Sequence, residues 1–320
     1  MSKRWILAAF LLAAAPAPAA VSAASAGPSF DCAKAATPVE KAICANPELA
    51  RLDRQMAAAY AAAVAITPTP VSLRAGQRDF LAERSRGDDG QPVKTVNIAQ
   101  LTERYQFRIQ ALTDETARAG RATAARIRDD DLGRVCIDVA ITGCKVESSG
   151  PVPGSAPYGG LFFQLQGPSS EDGFTRGVVV LQADRPGFLK PVMWNFDGDI
   201  PAPPEVVASP AGPLLIVPSI HGGTGVFNAE LIFRPVAGGW RDLEIDAWRK
   251  PFDRQLPAGV GVWKGVIYDW KTLTMETMLW KDDDANCCPS GGSAEAAFAI
   301  QGDRLTLKSM SVDRTPPRGN

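Results

Sequence analysis

The sequence predicts an α+β protein: a small, disulfide-tied helical bundle followed by a mainly antiparallel β domain, either a sandwich or a meander with a partial propeller-like array. Three observations predict it. Between Phe30 and Leu112 apolar residues recur three or four apart, the period of a helix face. From Arg134 glycine and proline become frequent, six of the seven tryptophans appear, and short β-branched and aromatic runs replace the helical stripes. Of six cysteines, two flank the first helical stretch and four lie in the β part.

The N-terminus comes first. Lys3 and Arg4 precede the apolar run Trp5–Ala15, and Val21-Ser22-Ala23 and Ala24-Ser25-Ala26 offer small-residue cleavage sites. Residues 1–26 read as a secretory signal peptide, because the run is too short and too alanine-rich for a membrane span. Cys32 follows Ser29-Phe30-Asp31 and does not sit at a lipoprotein cleavage point. The expectation is a periplasmic or secreted chain that is not a lipoprotein, has no transmembrane segment once processed, and holds oxidised cysteines. Residues 27–128 carry 15 Lys/Arg against 11 Asp/Glu, and residues 129–320 carry 17 against 24. No concentrated basic stripe with interleaved aromatics is present, which argues against a nucleic-acid partner.

The helical part is written in its caps. Thr37 suits an N-cap, Pro38 the first helical position, and Glu40 the carboxylate of a capping box. Asn46-Pro47-Glu48 repeats the start signal, and Leu49, Leu52, Met56, Tyr60 and Val64 then form one stripe. Thr67-Pro68-Thr69-Pro70 stops that helix. A further helix is expected over Val71–Arg86, with Leu73, Gln77, Phe80, Leu81 and Arg84 on one side. Another carries Ile98, Leu101, Tyr105, Ile109 and Leu112. A Cys32–Cys44 disulfide would tie the start of the chain to the first helix. Thr113–Asp131 shows little apolar face, so residues 116–133 are expected to form a charged, exposed helical extension or linker.

Phe30-Asp31-Cys32, Glu40, Ile43-Cys44, Leu49, Leu52-Asp53 and Tyr60 together resemble the LprI-type lysozyme-inhibitor N-terminal domain. The likeness continues through Gln77, Phe80-Leu81, Arg84, Leu101, Tyr105, Arg108-Ile109 and Leu112, covering residues 27–115. Members of that family usually carry a second cysteine pair where this chain has Gly87 and Gln100, so the resemblance implies a fold standing on one bridge. It also implies a non-enzymatic protein that occludes the cleft of a lysozyme or related muramidase. A cell-envelope module binding a cell-wall or outer-membrane component is the alternative.

The β part, residues 134–315, offers candidate strands at Val135–Ala140, Leu161–Leu165, Val178–Leu181, Leu214–Pro218, Val226–Phe233, Asp242–Ile245, Val262–Tyr268, Leu273–Trp280, Ala296–Ile300 and Arg304–Ser311. Residues 316–320 are expected to be a disordered tail. Phe162–Pro191, Leu215–Ile245 and Met278–Met310 share a strand, loop, strand, turn, strand reading. Any meander produces this; true repetition would also set the loops Gly167–Gly177, His221–Gly225 and Asp282–Gly292 at corresponding ends.

Candidate chemistry is sparse. Adjacent Cys287-Cys288 lacks zinc-ligand spacing, and Asp282-Asp283-Asp284 lacks the closing glutamate of an EF-hand, so no metal and no cofactor is expected. The run reads as a solvated acidic loop stapled by cysteine. Cys136, Cys144, Cys287 and Cys288 allow three connectivities; the preferred one pairs Cys136 with Cys144, closing a hairpin, and Cys287 with Cys288. His221, the sole histidine, follows Ser219 and precedes a glycine run. A hydrolase built on it would need a base–nucleophile pair, and no G-x-S-x-G elbow supports one. No catalytic residue is therefore assigned.

Overall fold

The computed structural model describes residues 27–87, 91–141, 143–169, 175–222 and 227–315. The expected signal peptide and tail lie outside these residues, as do Thr142 and parts of the loops at 167–177 and 221–225. The chain contains both helices and antiparallel strands, an α+β structure.

Cap chemistry opens the helices. Thr37 Oγ1 accepts Glu40 N–H at 3.1 Å while Glu40 Oε2 accepts Thr37 N–H at 2.9 Å, a reciprocal box that starts α1 (Pro38–Ala45). Asn46 Oδ1 accepts from Glu48 N and Leu49 N and starts α2 (Pro47–Ile66). Helices α3 (Pro70–Glu83) and α4 (Ile98–Ala124) follow, the latter capped by Asn97. Val39, Ile43, Leu49, Leu52, Met56, Leu101, Tyr105 and Leu112 bury one another in a single cluster, with Leu73 and Phe80 of α3 packed against it. Cys32 and Cys44 are joined, tying a 3-10 turn at Cys32–Lys34 to α1.

The segment expected as an exposed linker is built differently. Helix α4 runs unbroken to Ala124, and Ala119 and Ala122 are buried with Ile127 of β1 (Ile127–Arg128) against Ile137, Val139, Val179, Leu181, Leu189 and Trp194. Alanines escape a periodicity search that weights large apolar side chains, yet their size lets the helix lie close to the sheet. One helix thus belongs to two cores. Glu115 adds a polar link midway, accepting from Thr67 Oγ1 at 2.7 Å and from Trp194 Nε1 at 3.5 Å.

Three four-stranded antiparallel meanders follow. The first is β2 (Lys145–Pro151), β3 (Leu161–Gly167), β4 (Gly177–Arg185) and β5 (Phe188–Asn195), with β1 on the outer side of β5. After β6 (Ile200–Pro201) the second begins with β7 (Glu205–Ser209) and β8 (Gly212–Val217). The chain then leaves through β9 (Ser219–His221) and β10 (Phe227–Asn228), which form a small sheet with β6. It returns as β11 (Leu231–Val236) and β12 (Gly239–Asp242). Beyond α5 (Arg249–Asp253) and β13 (Val260–Gly261), the third is β14 (Ile267–Asp269), β15 (Thr274–Lys281), β16 (Gly292–Gln301) and β17 (Arg304–Asp313). The loops singled out in the sequence fall in each meander between its second and third strands.

The layers stack in series. Val178 and Val180 of β4 pack with Leu215, Val217 and Phe233 of the second meander, while Val179 and Leu181 point to the α4 side. Leu214 and Ile216 of β8 face the third meander, meeting Met275, Leu279, Ala296, Phe298 and Leu305 around Trp248 and Phe252. This explains the continuous apolar runs Val178–Leu181 and Leu214–Val217: alternate side chains enter different layers, and both faces are buried.

Several expected strands are corrected. Val135–Ala140 is irregular, although Ile137 and Val139 are buried. Buried glutamines of β3 replace a ladder there: Ile137 N–H donates to Gln164 Oε1 at 3.1 Å and Ile137 O accepts from Gln166 Nε2 at 2.9 Å. The Cys136–Cys144 bridge consequently closes an irregular loop and not a paired hairpin. Val226–Phe233 is broken between β10 and β11, the strand expected over Asp242–Ile245 has ended by Asp242, and that over Val262–Tyr268 starts only at Ile267. Strands β2 and β7 and helix α5 had no sequence counterpart, and β5 was expected only as the closing strand of the Phe162–Pro191 reading. Ser and Gly in β2 and Pro191 in β5 mask their alternation.

Candidate binding loop

Most of the residues that carry the family resemblance turn inward, whereas Asp31, Cys32 and Leu81 are exposed. Asp53 Oδ1 accepts Tyr105 Oη–H at 2.8 Å and Arg84 Nη1–H at 3.3 Å, while Oδ2 accepts Ser29 N–H at 2.7 Å and its hydroxyl at 2.5 Å. Arg84 also donates to Tyr105, and Phe80 meets the Tyr105 ring edge-to-face at 5.4 Å. Burial pushes the Tyr105 phenol well above its ordinary value. Gln77 receives Arg108 Nε–H at 3.0 Å and donates to Met56 Sδ. Asp31 caps the first turn through Ala33 N–H, Glu40 completes the capping box, and Phe30, Leu52 and Tyr60 pack into or against the helical cluster. These side chains hold helices together; none forms an exposed site.

The acidic cysteine loop is the opposite case. Asp282, Asp283, Ala285, Asn286, Cys287 and Cys288 are all exposed. Asp284 ties the loop shut: its carboxylate accepts Lys281 N–H at 2.8 Å, Ser290 N–H at 2.7 Å and the Ser290 hydroxyl at 2.7 Å. The Lys281 N–H, then the Ser290 hydroxyl and N–H, hold the Asp284 carboxyl below the ordinary aspartate range, so the tie persists in its charged form. Asp284 N–H to Lys281 O at 3.1 Å and Cys288 N–H to Ala285 O at 2.9 Å make successive turns, and Cys287 is bonded to Cys288. Gly291 returns the chain so closely that a Cβ would meet Leu279 O at 2.7 Å, and Gly292 has φ 98°. Lys264 lies over the Trp280 ring at 5.7 Å and donates to Asn286 O, bracing the tip from the side.

The remaining candidates are not assembled into chemistry. His221 Nδ1 stands 4.0 Å from Asp199 Oδ2, both exposed, whereas Ser219 Oγ is buried with no hydrogen-bond partner and is not bonded to His221. Residues 223–226 of the glycine run lie outside the described residues. Among the described residues no group of three or more His, Cys, Asp or Glu is placed to hold a metal ion, and no helix is long and apolar enough to cross a membrane. No family model, curated protein or solved structure matches this chain.

Sequence reasoning recognised the acidic loop but missed that its third aspartate is structural and only the first two face outward. The signal was present in Asp284 lying six residues before Ser290-Gly291, a spacing that lets one carboxylate close the turn.

Proposed function

We propose that this is an exported, non-enzymatic binding protein of the lysozyme-inhibitor type, in which α1–α4 are an inhibitor-type helical bundle and the three meanders a propeller-like array. The observation that carries the reading is the 281–291 loop: Asp284 and the Cys287–Cys288 bond fix its shape from within, leaving Asp282 and Asp283 exposed at its tip. A pre-shaped loop loses little conformational entropy on binding. Acidic groups on it suit the basic surface common to lysozymes, with long-range attraction from the acidic β part. Occlusion of a muramidase cleft needs such a protrusion and no catalytic group. Three disulfides fit a periplasmic or secreted location.

The test is a cell-wall turbidity assay with lysozyme and the purified protein lacking residues 1–26. Inhibition should be present and should fall by about tenfold or more in D282N/D283N, the loss expected for removing charged partners from a binding tip. Unimpaired lysis at a large molar excess of the protein would overturn the reading.

A further inference from the structure

The 281–291 loop is closed in two places by different chemistry. At its base the Asp284 carboxylate holds Lys281 N–H, Ser290 N–H and the Ser290 hydroxyl, a tie that no reductant touches. At its tip Cys288 N–H donates to Ala285 O at 2.9 Å, and the Cys287–Cys288 bond locks the same turn. The only covalent lock on the tip is therefore a redox bond.

Three features set this bond apart from the other two. Cys287 and Cys288 are both exposed, whereas Cys44, Cys136 and Cys144 are partly buried, and access governs thiol–disulfide exchange. Its cysteines are sequence neighbours, against separations of 12 and 8 in the other bridges, so opening it frees almost no chain entropy in the unfolded state. Adjacency also holds the two Cα atoms 3.8 Å apart, where bridges usually span about 4.4–6.8 Å, and a bridge confined in this way is more readily reduced. Lys264 Nζ donates to Asn286 O, the carbonyl just before Cys287. An ammonium there favours a departing thiolate and offsets part of the opposing charge of Asp282 and Asp283.

We propose that Cys287–Cys288 is a redox switch on the tip, opened by a dithiol without unfolding the protein. One thiolate of the dithiol attacks a cysteine sulfur, and the Cys287–Cys288 bond breaks as a mixed disulfide forms. The dithiol's second thiolate then displaces that cysteine. The loop takes up two electrons and two protons as two thiols, and the dithiol leaves as its own disulfide. The 285–288 turn loosens while the Asp284 tie keeps the ends of the loop together. The thiols stay one peptide bond apart, so oxidation restores the closed form, which is the resident one in an oxidising compartment. The effect on binding rests on the role proposed above for this loop: an opened tip has more conformational freedom to lose and binds more weakly.

The test titrates dithiothreitol against the oxidised chain lacking residues 1–26, caps free thiols with iodoacetamide and maps them by peptide mass spectrometry. Cys287 and Cys288 should be capped at a dithiothreitol concentration about tenfold or more below that needed for either other bridge. At that point the thermal melt should be unchanged, and amide exchange should rise at Cys288 while Ser290 stays protected. Opening together with or after another bridge, a lowered melt, or unchanged exchange at Cys288 would each overturn the proposal. The selectively reduced protein, freed of dithiol without air, is then compared with the oxidised protein in the lysozyme turbidity assay. Inhibition about tenfold weaker in the reduced form is expected, and equal inhibition in both forms would overturn the switch. Selective opening with no inhibition in either form would support the switch in the loop and overturn the inhibitor reading instead.

Discussion

Asp242 caps a helix it is far from in sequence: its Oδ2 accepts the backbone N–H of Ser72 at 2.7 Å. Oδ1 takes the N–H of Val71 at 3.1 Å, and Thr69, at the N-cap position of α3, makes no side-chain cap bond. The β part therefore provides the cap that the local sequence omits, and a carboxylate meets the positive end of a helix. Arg78 to Glu244 at 2.7 Å and Lys250 to Asp79 at 3.6 Å line the same junction. Asp242→Ala should cost about 1–2 kcal/mol, the usual range for a lost cap. Hydrogen exchange should rise at the first α3 amides before the rest of the helices; unchanged protection there would refute the tether.

Acid titration should separate two carboxyls of opposite sign. Burial raises Asp242 above its ordinary 3.8 despite the Ser72 and Val71 N–H groups. Its folded form holds the proton more tightly than the unfolded form, so its contribution to stability declines as pH rises from 3.8 through the native value. Glu40 is lowered below 4.5 by the backbone N–H groups of Thr37 and Ala36. Its contribution is present above 4.5 and is lost as pH falls through the native value. Melts across the acid range should show D242N flattening the first limb and E40Q the second.

Removing Asp53 should be among the most damaging single changes in the helical part. Asp53→Ala leaves the buried Arg84 guanidinium with Tyr105 alone, a loss of about 3–5 kcal/mol by analogy with broken buried ion pairs. Urea unfolding measures it directly. A loss below about 1 kcal/mol, the range of exposed pairs, would mean the network is solvated.

Helix α4 should be needed by the first meander. A chain of residues 132–320 would uncover the Val179, Leu181, Leu189 and Trp194 face that Ala119 and Ala122 cover. It should melt lower and bind a hydrophobic dye, while residues 113–320 should not. Within the full chain, Ala122→Leu should cost about 1–3 kcal/mol by overpacking. Equal melts for the two truncated chains would show that the α4 contact is dispensable.

The disulfides should divide by role. Cys32→Ser with Cys44→Ser removes a bridge of sequence separation 12 and should cost about 3 kcal/mol, leaving the helices protease-sensitive. Cys287→Ser with Cys288→Ser removes a bond between sequence neighbours on an exposed loop, so the melting temperature should hardly move while the proposed inhibition of lysozyme weakens. A large thermal loss in the second variant would show that the tip supports the fold.

What the sequence determined by itself was mostly local. Thr37, Pro38, Glu40 and Asn46 announce α1 and α2 because capping acts within four residues. The α4 stripe was visible because Leu101, Tyr105 and Leu112 are large, and the runs at Val178–Leu181 and Leu214–Val217 were visible as strands because every side chain in them is apolar. The tertiary structure decided the rest. Ala119 and Ala122 became core only because a sheet lies against them, and Val135–Ala140 lost its ladder because Gln164 and Gln166 satisfy its backbone from another strand. The cap on α3 comes from Asp242, more than 160 residues away, as the separation of the Ser72 contact shows. Asp284 differs from Asp282 and Asp283 only by the three donors that the folded loop turns toward it. Capping and periodicity are short-range and can be read along the chain, whereas burial of small residues and the partners of polar groups are fixed by which surfaces meet.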